Sequence, residues 1–168
     1  MKYAKLLLLF SFLLPISTMA STIEIMVYKI LPNTDTQGVL MGKVVATDTP
    51  YGLLLTPEIQ GLSPGIHGFH IHENPSCAKS GMAAGGHLDP KRTNEHLGPY
   101  NNQGHLGDLP ALTADKDELA TLPILAPRLT VSDIKGHSLM LHAGGDNYSN
   151  DPPMGGGGAR IACGVITQ

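Results

Sequence analysis

From Ser21 onward, apolar and polar positions alternate. Ile23, Ile25 and Val27 take turns with Glu24, Met26 and Tyr28, the period-2 pattern of a strand with one buried face. Short apolar runs recur at residues 39–46, 52–56, 66–72, 129–131, 138–142 and 161–166, with Gly, Pro, Asn and Asp between them. No segment carries a sustained helical period capped at both ends, and Thr113 to Ala120 is expected to form a turn or so of helix at most. The pattern predicts an all-β fold, an antiparallel sandwich or barrel.

Two stretches do not read as strands. Residues 74–109 are rich in Gly, Pro, Asn and His, and residues 143–158 form a second Gly- and Pro-rich stretch. Long loops in a compact domain are usually functional or disordered. The first holds His87, His96, His105 and Cys77, which favours function and asks for something to fix the loop.

A length of 168 residues points to one domain with its own core, residues 21–168, behind a leader. Lys2 and Lys5, the apolar run from Leu6 to Leu14 and Thr18-Met19-Ala20 have the layout of a secretory signal peptide over residues 1–20. The run is too short to span a bilayer and Pro15 follows it, so no membrane attachment is expected after cleavage. Export to the periplasm is expected. The chain has 11 basic and 14 acidic residues; without Lys2 and Lys5 the balance is 9 against 14, or −5. That sign excludes nucleic-acid binding by bulk charge. Cys77 and Cys163, the only cysteines, are expected to pair in an oxidising compartment, two buried free thiols being the alternative.

Gly68-Phe69-His70-Ile71-His72 lies in a strand-like run. Alternate residues of a strand share a face, so His70 and His72 project together. His67 has the parity of Phe69 and Ile71 and reads as a structural histidine facing the core. Alone, a His-x-His pair could equally be two exposed side chains. His105-Leu106-Gly107-Asp108 sets a carboxylate three residues after an imidazole, close enough for both to reach one ion. With His87 and His96 it makes three imidazoles and a carboxylate, a closed set suited to zinc, although a polar loop with scattered histidines has the same composition. His142 ends the run at 138–142. Six imidazoles and one carboxylate are one ligand short of two four-coordinate sites. The count closes if one imidazole bridges two ions, and His87 is the candidate.

Gly68-Phe69-His70-Ile71-His72-Glu73, Gly85-Gly86-His87, Gly104-His105-Leu106-Gly107-Asp108, His142 and Gly158-Ala159-Arg160-Ile161-Ala162-Cys163-Gly164-Val165-Ile166 together resemble the copper–zinc superoxide dismutases. The resemblance runs from about Ser21 to the C-terminus. Residues 74–86, Leu88-Asp89-Pro90 and Asp146-Asn147-Tyr148-Ser149 resemble the secreted bacterial branch. It implies a Greek-key β-sandwich or flattened barrel with two long functional loops. It implies one copper ion at His70, His72, His87 and His142, and one zinc ion at His87, His96, His105 and Asp108. Cys77–Cys163 matches the family disulfide, Asp146 an aspartate linking copper and zinc ligands, and Arg160 the arginine beside the open copper position.

The implied activity is disproportionation of superoxide to dioxygen and hydrogen peroxide, with Arg160 and His87 as catalytic residues. Residues 150–154 lack the charge cluster that guides substrate in animal members, so attraction of the anion falls to Arg160, with Lys79 a second candidate. A periplasmic copper and zinc delivery protein without catalysis is the alternative, though a buffer needs neither four copper ligands nor Arg160. Homodimers and monomers both occur in the family, and the sequence favours neither.

Overall fold

The computed structural model describes residues 20–167, so all of the expected leader except Ala20 lies outside the described residues. The first three strands, β1 (Thr22–Ile30), β2 (Gln37–Thr49) and β3 (Gly52–Gln60), form an antiparallel meander. Ile25 and Val27 on β1, Val44 and Ala46 on β2, and Leu53, Leu55 and Ile59 on β3 are buried in one core. That is the alternation seen in the sequence, and each large side chain so buried contributes roughly 1.5–3 kcal/mol.

Two short strands follow, β4 (Gly65–His67) and β5 (Phe69–His72), before the first long loop. Beyond it come β6 (Leu112–Ala114), β7 (Leu119–Ala120), β8 (Ile124–Ala126), the one-turn helix α1 (Val131–Ile134) and β9 (Ser138–His142). The second long loop leads to β10 (Arg160–Val165). The sheet runs β5-β9-β10-β1-β2-β3-β7, with β8 also on β3, while β4 and β6 pair separately. Every pairing is antiparallel. The last strand lies between β9 and the first, the non-sequential order that a Greek key produces. The all-β prediction holds, in the form of an antiparallel sheet curled around its core.

Two local expectations are corrected. Residues 129–131 are no strand: Leu129 and Val131 are buried, but Thr130 opens α1, its N–H donating to the Asp133 carboxylate at 2.8 Å. This capping chemistry overrides the β-propensity of Val131. Thr113 to Ala120 is no helix either. The Asp115 carboxylate accepts the N–H groups of Asp117 and Leu119, both at 2.9 Å, and folds the segment into a turn between β6 and β7.

The long loops are anchored to this frame. Cys77 and Cys163 form a disulfide with a Cα–Cα separation of 5.8 Å, tying the first loop to β10. The same loop also pairs with the outer edge of β5. Ile71 N–H donates to Gly107 C=O at 2.9 Å, Leu88 N–H to Ile71 C=O at 2.8 Å and Glu73 N–H to Gly86 C=O at 3.1 Å. Gly107 is required there, because a Cβ would lie 2.2 Å from the Ile71 carbonyl oxygen.

Candidate metal centre

Both faces of β5 are buried. Phe69 and Ile71 enter the core, while His70 and His72 face the loops. The loop pairing just described sets Asp108 opposite His70 and His87 opposite His72. On the other edge of β5, β9 ends in His142, which stands opposite Arg160 of β10. Three stretches, β5, the first long loop and β9, thus deliver their imidazoles to one place.

Two groups of side chains result. In the first, His70, His72, His87 and His142 offer nitrogens within 4.8 Å of one another. Nδ1 of His70 and Nε2 of His72, His87 and His142 are buried and make no hydrogen bond. A buried polar atom left unpaired costs about 1–3 kcal/mol, so four at one point call for a shared electrophilic partner. A cation coordinated by four nitrogens supplies it.

The opposite ring nitrogens are all engaged. His70 Nε2 donates to Asp146 at 2.6 Å, His72 Nδ1 to Gly85 C=O at 3.0 Å and His142 Nδ1 to Gly158 C=O at 3.2 Å. Each outer acceptor fixes the proton outward and leaves a lone pair pointing in. Burial pushes these imidazoles far toward the neutral form: His70 to about 3, with Asp146 opposing, His72 to about 2 and His142 to about 4. His87 is lowered as well, again by burial. All four are ready ligands at neutral pH.

In the second group, Nδ1 of His87 and of His96 lie 3.0 Å from Asp108 Oδ1, and Nδ1 of His105 lies 3.4 Å from it. A tetrahedron with metal–ligand bonds of about 2.0 Å has edges of about 3.3 Å, so these separations match the edges of a zinc site. Gly98 N–H donates to Asp108 Oδ2 at 3.1 Å and so turns Oδ1 toward the imidazoles. Burial opposes charge on Asp108, but His105, His87 and His96 outweigh it and hold the carboxyl well below its usual range. His96 differs from the first group. Burial disfavours its cation, yet Asp108 on one side and Asp146 on the other raise it to about 9.

His87 belongs to both groups, which is where the ligand count placed the bridge. Its Nδ1 faces only Asp108 and its Nε2 has no partner, so nothing outside the two groups fixes its proton. Asp146 joins the groups from behind, holding His70 at 2.6 Å and His96 at 2.7 Å. These are ordinary hydrogen-bond lengths to the outward nitrogens, so the cluster of His70, His96 and Asp146 orients ligands rather than forming a third site. His67 stays out of both groups. It is buried with its ring between the carbonyls of His142 and Ser63, in agreement with a structural role.

His87 and His142 open on a cavity of about 740 Å³ that Arg160 also lines. The Arg160 guanidinium donates to Gly81 C=O at 2.6 Å and to Gly85 C=O at 2.7 Å, leaving three of its five N–H groups for an anion. Lys79 does not line this cavity; it sits in an exposed turn with its N–H on the Asp35 carboxylate. Lys29, which the sequence reading missed, lines it instead. Its pairing opposite Ala162 of β10 carries it there, and no local motif marks it.

The sequence profile of copper/zinc superoxide dismutase matches residues 40–166. A Salmonella typhimurium superoxide dismutase [Cu-Zn] 1 is 53% identical, with 100% of each chain covered. The structure of the Cu/Zn superoxide dismutase from Brucella abortus superimposes with a TM-score of 0.81 at 47% identity, over 87% of this chain and 99% of that one. The solution structure of the monomeric copper, zinc superoxide dismutase from Salmonella enterica gives 0.76 at 45% identity, over 88% and 100%. With a curled antiparallel sheet, two adjoining ligand groups and these relatives, the chain belongs to the copper/zinc superoxide dismutase family.

Proposed function

We propose that the chain disproportionates superoxide to dioxygen and hydrogen peroxide with copper held by His70, His72, His87 and His142, and zinc held by His87, His96, His105 and Asp108. The observation that carries the ligand assignment is the convergence of four buried, unpaired imidazole nitrogens on one point, beside a cavity that His87 and His142 line. Copper, passing between two oxidation states, supplies the one-electron exchange with superoxide, while zinc supplies fixed positive charge without redox change.

The remaining work falls to the protein. Arg160 draws the anion into the cavity and presents its free N–H groups to it. His87 reaches the same cavity with a nitrogen that no hydrogen bond occupies, so it can hold a proton at Nε2 and pass it to the reduced oxygen species. The second proton of hydrogen peroxide comes from solvent. Asp146 and the Gly85 and Gly158 carbonyls keep the other imidazoles in the tautomer that faces inward. We also place the activity outside the cytoplasm, in the periplasm; the Cys77–Cys163 disulfide suits an oxidising compartment.

Metal analysis and a superoxide assay of the parent and of His142→Ala test the assignment. The parent is expected to hold about one copper and one zinc per chain. His142→Ala is expected to keep its fold and zinc and to lose activity, because His142 serves only the first group. Activity near that of the parent refutes the copper set.

A further inference from the structure

Arg128 lies between β8 and α1, outside both ligand groups, and is half-buried. Its guanidinium reaches across to the loop that bears His96, His105 and Asp108. Nε donates to Pro99 C=O at 2.8 Å, and Nη2 donates to Gly98 C=O at 3.1 Å and to His105 C=O at 2.6 Å. Nη1 adds a longer bond to Gly104 C=O at 3.4 Å. Four carbonyls from the two ends of residues 98–105 converge on one cation.

Those two ends are where the loop leaves and rejoins the ligand group. Gly98, gripped at its carbonyl, turns its N–H to Asp108 Oδ2 at 3.1 Å, and His105 is itself a ligand candidate whose N–H donates to Glu95 C=O at 2.8 Å. Converging carbonyl dipoles repel one another, and a planar fork of five donors relieves that at several points at once. Lysine offers three donors at a single point on a flexible stem and cannot span the four oxygens.

We propose that Arg128 is a positioning residue for the zinc site, presetting Asp108 through Gly98 and His105 through its own carbonyl, so that zinc meets ligands already in place. This inference rests on the zinc assignment above. Partners behind metal ligands typically matter by 10- to 100-fold in affinity.

The test compares the parent with Arg128→Gln, Arg128→Lys and Val44→Ala, the last a core truncation in β2 that belongs to neither ligand group. Zinc affinity is measured by competition with a chelator. The absorption spectrum of cobalt(II) in the zinc site reports ligand geometry directly. Arg128→Gln is expected to bind zinc about 10- to 100-fold more weakly and to show an altered cobalt spectrum. Arg128→Lys should recover only part of the affinity. Val44→Ala should keep parental zinc affinity and spectrum despite lower stability. Parental affinity and spectrum in Arg128→Gln overturn the proposal, as does full recovery in Arg128→Lys or an equal zinc defect in Val44→Ala. If Arg128→Gln does not fold, Arg128→Lys decides alone: weaker zinc binding supports the proposal and parental binding overturns it. A parent without a tetrahedral cobalt spectrum instead refutes the zinc assignment itself.

Discussion

Adding zinc to the metal-free protein should expel a proton from His96. Both ring nitrogens of His96 face carboxylates, Asp108 at 3.0 Å and Asp146 at 2.7 Å, and the two raise it to about 9. At pH 7, roughly 99% of metal-free molecules therefore carry the imidazolium, a proton standing where the metal belongs. Zinc needs the lone pair on Nδ1, so binding at pH 7 releases about one proton per ion. Two pH units at about 1.4 kcal/mol each cost about 3 kcal/mol, or roughly 100-fold in apparent affinity. Zinc affinity should then rise about tenfold per pH unit from 7 to 9 and level off above. His70, His72 and His142 are neutral at pH 7, so copper added afterwards takes no proton from them and about one from His87 as that ring joins both ions. Calorimetry in buffers of different ionisation enthalpy counts the protons. Asp146→Asn, which removes one of the two carboxylates, should shift the levelling-off to lower pH. A heat of zinc binding that does not depend on the buffer at pH 7 refutes the reasoning.

Arg160→Glu should lower the second-order rate with superoxide roughly 10- to 1000-fold at full copper occupancy, and the parental rate should fall with salt as the screening length shrinks to about 10 Å at 0.1 M. A charge-reversed variant at the parental rate removes Arg160 from substrate attraction. Cys77→Ser opens a link across 86 residues and should lower unfolding free energy by roughly 4–5 kcal/mol, so unchanged denaturant midpoints count against a stabilising disulfide. Metal-free protein should lose stability in acid. His70, His72 and His142 titrate lower when folded than the 6.5 of an ordinary histidine, so the unfolded chain takes up protons first as pH falls from about 6.5 toward 4. His96 acts in the opposite sense, its contribution present below about 6.5 and lost as pH rises through about 9. Urea unfolding across this range should show stability falling on the acid side, and a flat profile contradicts the burial of neutral imidazoles.

The strands were legible because one face of each is buried: Ile23, Ile25 and Val27 announce β1, and the run at 138–142 coincides with β9. The two candidate ligand groups were legible because strand parity separates His70 and His72 from His67, and because the ligand count left one place for a shared imidazole. The Thr130–Asp133 cap was present in the sequence but outweighed by the flanking Leu129 and Val131. Other features lie beyond any local pattern. Lys29 reaches the cavity, and Arg128 the zinc loop, only through pairings between segments remote in sequence. Lys79, the second candidate for substrate attraction, is carried by its turn to a different surface.

β5 ends the sheet, and a terminal strand ordinarily offers its amide and carbonyl groups to any passing chain. Here the stretch from Gly86 to Gly107 occupies that position without being a strand, through a few hydrogen bonds to Ile71 and Glu73. What keeps it in place is the disulfide and the ligand groups whose histidines it carries. Metal ions bound by those groups would then hold this cover in place as well as serve the chemistry. A molecule deprived of zinc, or with Cys77 and Cys163 reduced, is expected to uncover the Phe69–His72 edge as a template for strand addition.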